Sequence, residues 1–544
     1  MAEKEISIEI KKPKALVLIL ILLGILVWEL RVTLSSPIVF GDEGWHTRMA
    51  QWIYRHKEYP VWNPVSGTKI HRGAFDRPPL WNILEASFFL VSDFHEFTVK
   101  FLTPFVASLL TGIVIFVLGK RVFNERIAWF AAVTTVTIPS FVTYSVLFYT
   151  DVLTVFYFCL FFLTMILSLK EGNKKYWVVS AMFAALSLLS KRTGIVIFPI
   201  MALTFLFELY KKKDLSIIKN YIIFFVIFFL ISGTWFLRNI YYYKTPLCMS
   251  LPFFDTSGCR KSFEYEVKTD KDFEGRTTPT GTEQSIFKMG LMNYIDFAFG
   301  TKWFVPLFFL CGLFLLINEK KIEDNLLILI LISFLLIFYV STGRAEDTAR
   351  YTLNIVPVVA FVVGIYLDKL FIFLQTYHKT LALIVFVLVV VLSFMNMDRK
   401  LMVMKAVKGF SPTYFEACDW IKQNTKEDAL LMGVWGNRFV YNCQRNAGGY
   451  SDLPDSRDII LSGDLNLTVS RLKEHGITHI FVQKFSIDNK AYKEKYPVSF
   501  VQFLDNNPDV FVNVYENGPP LQQCLQRGGC DGNILYEVNY TAFR

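Results

Sequence analysis

The chain has 544 residues, 53% hydrophobic and 19% charged, with 53 Phe and a formal net charge of +9. Soluble proteins carry about 25% charged residues, and here the apolar residues come in blocks of about 15–20, the length that crosses a bilayer core. Composition excludes a wholly soluble enzyme, and the modest positive charge fits cytoplasmic loops on an anionic leaflet better than nucleic-acid binding.

The first block begins at Ala15, after Lys11, Lys12 and Lys14. No small-residue cleavage site ends it, so it reads as a retained signal anchor. Glu29 and Arg31, near its outer end, read as interfacial anchors. Further spans are expected at Val99–Leu118, Ile127–Phe141, Leu153–Leu169, Tyr176–Leu189, Thr193–Tyr210 and Asn220–Trp235. Four more follow at Phe304–Ile317, Asn325–Val340, Tyr351–Phe371 and Thr380–Met395. The total is about eleven.

Orientation follows from Lys and Arg in the short loops. Lys120, Arg121 and Arg126, then Lys170, Lys174 and Lys175, then Lys211 to Lys213 and Lys219, then Lys320 and Lys321 lie on the side of the N-terminal lysines. The alternate loop 140–150 has no Lys or Arg. The N-terminus is therefore expected in the cytoplasm. Loops 35–98 and 239–302, and everything after Met395, are expected outside.

The organisation expected is a transmembrane domain over 1–400, with an outer loop 35–98, and a soluble α/β domain over 401–544. In that tail, Thr413–Gln423 and Leu467–His475 read as helices. Ala429–Val434, Arg438–Cys443 and Thr478–Gln483 read as strands, with Phe511–Tyr515 and Ile534–Val538 as further candidates. Cys159 and Cys311 fall inside spans. Cys248, Cys259, Cys418, Cys443, Cys524 and Cys530 all fall on the expected outer side, where an even number suggests disulfides. Sequons at Asn466 and Asn539 lie on the same side.

In the outer loop, the stretch GDEGWH places Asp42 and Glu43 at the start of a helical pattern: Trp45, Met49, Trp52 and Ile53 recur on one face. Rich in Trp and flanked by Arg48, Arg55 and Lys57, this segment reads as a helix lying in the interface plane. The two carboxylates sit where a helix dipole favours negative charge. Taken alone, the pair is equally explained as a helix cap. His71 to Trp81 follows, with Arg77 held extended by Pro78. Other outer turns hold Tyr149-Thr150-Asp151, Ser190-Lys191-Arg192-Thr193-Gly194, Trp235 to Asn239, and Thr348-Ala349-Arg350-Tyr351. Ionisable groups gathered at membrane depth are functional candidates. The set suits glycosyl transfer from a lipid-linked sugar. A carboxylate takes the acceptor proton, negative charge stabilises the oxocarbenium ion, and Arg and Lys receive the leaving phosphate.

At these residues the chain resembles the GT-C membrane glycosyltransferases of the protein O-mannosyltransferase and aminoarabinose-transferase (ArnT-like) type. The matching features are Asp42-Glu43, Asp76-Arg77-Pro78-Pro79-Leu80, Asp151, the Ser190–Gly194 turn, Trp235 to Asn239 and Arg350-Tyr351, in order over about residues 1–370. The resemblance implies a polytopic α-helical GT-C fold and an inverting glycosyltransferase. It implies Asp42 as the base or acceptor-orienting carboxylate, Glu43 as its support, and Asp151 as a second acid that positions the acceptor or a divalent cation. It implies that Arg77, Lys191, Arg238, Arg350 and Tyr351 hold the phosphate of a polyprenyl-phosphate sugar. The acceptor would be a glycan, a lipid or a protein outside the cytoplasm. No resident metal is assigned, although His46 and His71 are chemically able ligands. The chain lacks the Trp-Trp-Asp motif of oligosaccharyltransferase catalytic subunits, which argues against whole-glycan transfer. The rival reading is a glycolipid transporter or flippase. Its charges should lie mid-span and its halves should repeat, and the sequence shows neither feature.

Overall fold

The computed structural model describes residues 13–38, 41–61, 77–92, 96–246, 304–318, 328–333, 353–408, 411–433, 436–449, 456–487, 496–526 and 530–543. These divide into two compact units. One contains residues 13–35 and 100–234 with the described parts of 284–404; the other contains 36–99, 235–246 and 405–543.

The first unit is helical. Among the described residues seven helices are long and apolar enough to cross a membrane, or eight if one bent pair counts as a single span. The chain therefore has a polytopic helical fold, although the expected total of about eleven is not reached among the described residues. Two expected spans are shorter helices of 17 and 15 residues, α9 (Lys174–Ser190) and α12 (Phe304–Asn318). The span expected at Asn325–Val340 lies mostly outside the described residues.

Helix α1 (Pro13–Ser35) opens the unit. The next span joins α4 (Glu96–Pro104), a π-helical turn over Phe105–Thr111 and α5 (Gly112–Val122). Glu29 on α1 is fully buried. Its carboxyl accepts from the Ser108 hydroxyl on the π turn and from Ser145 Oγ at 2.5 Å. It is thus a satisfied internal group rather than the interfacial anchor expected from its place near a span end. The bent pair is α6 (Glu125–Thr137) and α7 (Pro139–Ser145), at 61°. Ile138 precedes a proline, is held extended at ψ 128°, and breaks the helix there. Helix α8 (Asp151–Glu171) ends at Gly172, whose φ of +64° suits glycine. Helices α10 (Ile197–Lys212), α11 (Ile218–Tyr243), α13 (Val356–Tyr377) and α14 (Lys379–Lys408) complete the described set.

The second unit is built on a five-stranded mixed sheet in the order β2-β1-β3-β5-β4. Its strands are β1 (Leu430–Gly433), β2 (Asn446–Gly449), β3 (His479–Gln483), β4 (Phe511–Asn517) and β5 (Asn533–Val538). The first three pair in parallel, and β5 runs antiparallel to both β3 and β4. Side chains alternate across a strand: Leu430 and Met432 enter one core, while Leu431 enters the other. The expected helices appear as α15 (Pro412–Asn424) and α17 (Leu465–His475). Arg438–Cys443, expected as a strand, lies instead on helix α16 (Gly436–Asn442) and the residue after it. Phe439, Val440 and Cys443 are all buried, at a helical spacing that so short a segment does not distinguish from a strand. The strand comes next, at β2, whose sequence Asn-Ala-Gly-Gly has no β-branched residue to signal it.

Two helices of the segment 35–98 belong to this unit, α2 (Gly41–His56) and α3 (Leu80–Ser92). Trp45 and Met49 of α2 pack in the core with Tyr414, Ala417, Phe439 and Phe481. Two residues of the stripe that reads as an interfacial helix are thus covered by protein, while Trp52 and Ile53 stay partly exposed, and periodicity alone does not say what covers such a stripe.

Cys418–Cys443 and Cys524–Cys530 are disulfide-bonded, Cys159 and Cys311 are free, and Cys248 and Cys259 lie outside the described residues. The first bridge spans 25 positions and the second 6. Chain-entropy arguments give about 3.5 kcal/mol for the longer loop and about 2.4 kcal/mol for the shorter. Cys418→Ala/Cys443→Ala is therefore expected to lower the unfolding free energy more than Cys524→Ala/Cys530→Ala, as read by denaturant titration of the purified chain. The reverse order would show that the tail is held by other contacts.

Candidate active site

Asp42 and Glu43 occupy the first turn of α2. Arg77 approaches from the Arg-Pro-Pro segment before α3. Its Nη1 lies 3.7 Å from Asp42 Oδ1, and its guanidinium sits 4.1 Å over the Trp45 ring. The Tyr59 hydroxyl donates to the Arg77 carbonyl at 3.1 Å. Ion pair, stacking and backbone hydrogen bond together hold one side chain, which costs the least entropy when a phosphate must find it. The Asp42 and Arg77 side chains keep 24% and 40% of their exposure, so both remain open to a substrate. Glu43 is fully buried, and its carbonyl accepts from Thr47 Oγ1 at 3.0 Å. His46, also buried, lies one turn after Asp42. Its Nδ1 is 2.8 Å from Asn82 Oδ1 on α3; with Nδ1–H donating, Nε2 is left as the acceptor.

Arg238, near the C-terminal end of α11, lies in an aromatic surround. The ring centres of Trp235, Tyr59, Tyr242 and Tyr243 are 4.6, 5.4, 5.6 and 5.6 Å away. It donates to the Pro60 carbonyl at 2.5 Å and to Asn239 Oδ1 at 3.2 Å. Asn239, fully buried, donates to the Pro246 carbonyl at 3.1 Å. Tyr59 packs edge-on to Trp235 at 5.2 Å. It therefore touches the fixtures of both arginines. Burial holds its phenol well above the ordinary tyrosine range, so it stays a neutral donor.

In the other unit, Asp151 opens α8 and Lys191 caps α9, and the ammonium is hydrogen-bonded to Asp151 Oδ1. Both are buried. The turn after Lys191 is tight: the Gly194 N–H donates to the Lys191 carbonyl at 2.9 Å. A Cβ on Gly194 would lie 2.6 Å from the Leu188 backbone. Glycine there permits the approach that aims Lys191 at Asp151.

Asp42, Glu43, Arg77 and Arg238 thus fall in one unit, and Asp151 and Lys191 form a pair in the other. Arg350 and Tyr351 lie outside the described residues, as do His71 and Asp76. Among the described residues, no three of His, Cys, Asp and Glu gather as a metal site. At Asp151 the Lys191 ammonium is bonded to one carboxylate oxygen.

Sequence reasoning missed Tyr59, Asn82 and the role of the Trp45 ring. Asn82 and Glu85 are buried three residues apart in an otherwise apolar helix. Polar residues at that spacing in an apolar run are the signal that a polar group faces them across a helix pair. Tyr59 carries no such signal, because a lone Tyr after a helix is commonplace.

Residues 76–236 match the family model described as dolichyl-phosphate-mannose-protein mannosyltransferase. Among solved structures, the chain is similar to ArnT of Cupriavidus metallidurans bound to undecaprenyl phosphate, at TM-score 0.61 and 12% identity, covering 97% of this chain and 98% of that one. It is similar to the oligosaccharyltransferase AglB of Archaeoglobus fulgidus, in complex with an inhibitory peptide and a dolichol-phosphate, at 0.59 and 13%, covering 85% and 69%. It is also similar to the mycobacterial arabinofuranosyltransferase AftD, at 0.52 and 12%, covering 95% and 41%. A search of curated protein sequences returns no match. The fold is that of the GT-C membrane glycosyltransferases.

Proposed function

We propose that this GT-C chain transfers a sugar from a polyprenyl phosphate to a hydroxyl of an extracytoplasmic glycan, lipid or protein, with inversion at the anomeric carbon. The observation that carries the reading is the Asp42–Arg77 pair at the head of α2, with Arg77 fixed over Trp45. A carboxylate beside a pre-ordered guanidinium supplies both halves of the reaction. Asp42 takes the acceptor proton as the new C–O bond forms. The bond from the anomeric carbon to the phosphate oxygen breaks, and its electron pair leaves on the polyprenyl phosphate. Arg77 turns from Asp42 to that phosphate, assisted by Arg238 and, in this reading, by Lys191, Arg350 and Tyr351. Glu43 supports the first turn of α2, and Asp151 positions the acceptor. The polyprenyl phosphates in the similar ArnT and AglB structures support a lipid-linked donor.

Two measurements test this. Purified protein in lipid is expected to transfer sugar from a polyprenyl-phosphate donor and not from a nucleotide sugar. Turnover of the nucleotide sugar alone would refute the donor assignment, and translocation of the glycolipid without transfer would support the flippase instead. In sealed vesicles, a cysteine placed at Ser451 is expected to label from the outer side and one at Lys212 only from the cytoplasmic side. The opposite pattern would remove the extracytoplasmic acceptor.

A further inference from the structure

On the face of α2 away from Asp42, Arg48, Gln51 and Arg55 line a cleft of about 670 Å³ that the tail closes with Lys422, Tyr441 and Gln444. The volume lies in the range of small-molecule sites, about 300–1,000 Å³. The spacing i, i+3, i+7 puts the three α2 side chains in one row. The two guanidiniums face the same space. Arg48 is held below the usual arginine range by burial and then by the charge of Arg55. It donates to Gln51 Oε1 at 3.3 Å, and among the described residues no carboxylate pairs with it. Two cations drawn together in partial burial are stabilised when an anion joins them.

The opposite wall is built rather than incidental. Gln444 adopts φ +52°, a left-handed conformation that non-glycine residues take at a cost, often where a side chain must be aimed. It is pinned on both sides. Cys443 before it is bonded to Cys418. Arg445 after it is buried and donates to the carbonyls of Lys422 and Thr425, each at 2.8 Å. Those carbonyls close the C-terminal end of α15, so Arg445 is committed to the scaffold, and Arg48 and Arg55 line the cleft from α2. Tyr441 donates to Glu96 Oε1 at 2.6 Å, and Glu427 also lines the cleft. Amides, carboxylates and aromatic rings beside arginines suit a ring of hydroxyls that also carries acid groups.

We infer that this cleft is a binding subsite for an acidic, uronate-bearing oligosaccharide, the row Arg48–Gln51–Arg55 taking its carboxylates and Gln444 and Tyr441 its hydroxyls. This deepens the proposed transfer by naming the class of acceptor glycan.

The test is direct binding, not turnover. The full chain in nanodiscs is titrated calorimetrically with trigalacturonate and with maltotriose. Trigalacturonate is expected to bind, more weakly as salt rises, with maltotriose at least about tenfold weaker. Arg48→Gln and Arg55→Gln are each expected to weaken trigalacturonate about tenfold, one charge-assisted contact apiece. Gln51→Glu, which keeps the side-chain shape and sets a negative charge between the arginines, is expected to do the same. Asp42→Asn is expected to leave this binding unchanged while transfer falls, which separates a failure here from a failure of the transferase reading. Equal binding of the two trisaccharides would overturn the acidic class. Absence of trigalacturonate binding, or binding indifferent to all three variants, would overturn the site.

Discussion

Asp42→Asn is expected to lower sugar transfer by about 10²–10⁴-fold, the usual loss when a general base is removed, with donor binding retained. The substitution keeps the shape of the side chain and its place in the first turn of α2. An amide there can still accept the hydrogen bond of an acceptor hydroxyl, but it cannot take the proton. The observed geometry makes a second effect calculable in direction. Arg77 Nη1 is 3.7 Å from Asp42 Oδ1, so neutralising residue 42 frees the guanidinium for the donor phosphate, and donor affinity should rise modestly rather than fall. Arg77→Ala should do the opposite and weaken the donor, since a charge-assisted contact disappears. It also strips the cover from Trp45. Stopped-turnover assays with a polyprenyl-phosphate donor, run beside equilibrium donor binding, separate the two. Transfer by Asp42→Asn at the wild-type rate would reduce the carboxylate to a helix cap.

The spans were legible because a bilayer core demands long apolar runs, and α1, α8, α11 and α13 announce themselves in composition alone. The bend between α6 and α7 was written locally, in Ile138-Pro139, yet the apolar run continues through it and hides the break. The tail failed where burial, not propensity, sets structure. Cys443 closes a buried helical face bonded to Cys418, and the Asn-Ala-Gly-Gly strand is held by its neighbour β1 rather than by its own side chains. At the site, charge was visible and partnership was not. A sequence shows that Arg77 is fixed extended by Pro78, but not that Trp45 lies beneath it or that Tyr59 ties its carbonyl. It shows a lysine and an aspartate forty residues apart, Lys191 and Asp151, and not that the two are bonded.

That bond carries the second large expectation. Lys191→Met leaves Asp151, 2% exposed, without its ammonium. Removing one partner of a buried ion pair costs about 3–5 kcal/mol, because the remaining charge loses its counter-ion in a poorly hydrated site. Lys191→Met should therefore lower the denaturation midpoint of the chain in lipid substantially. Asp151→Asn/Lys191→Met should recover most of that loss, since two neutral side chains of similar volume replace the pair. Activity discriminates the roles. If Lys191 holds the donor phosphate as well as Asp151, the double variant regains stability but binds donor weakly. If Lys191 serves only to neutralise and aim Asp151, the double variant binds donor normally and loses acceptor affinity instead. Equal midpoints for the single and double variants would show that the pair is not coupled in the folded protein, and Asp151 would then need another cation to remain buried as a carboxylate.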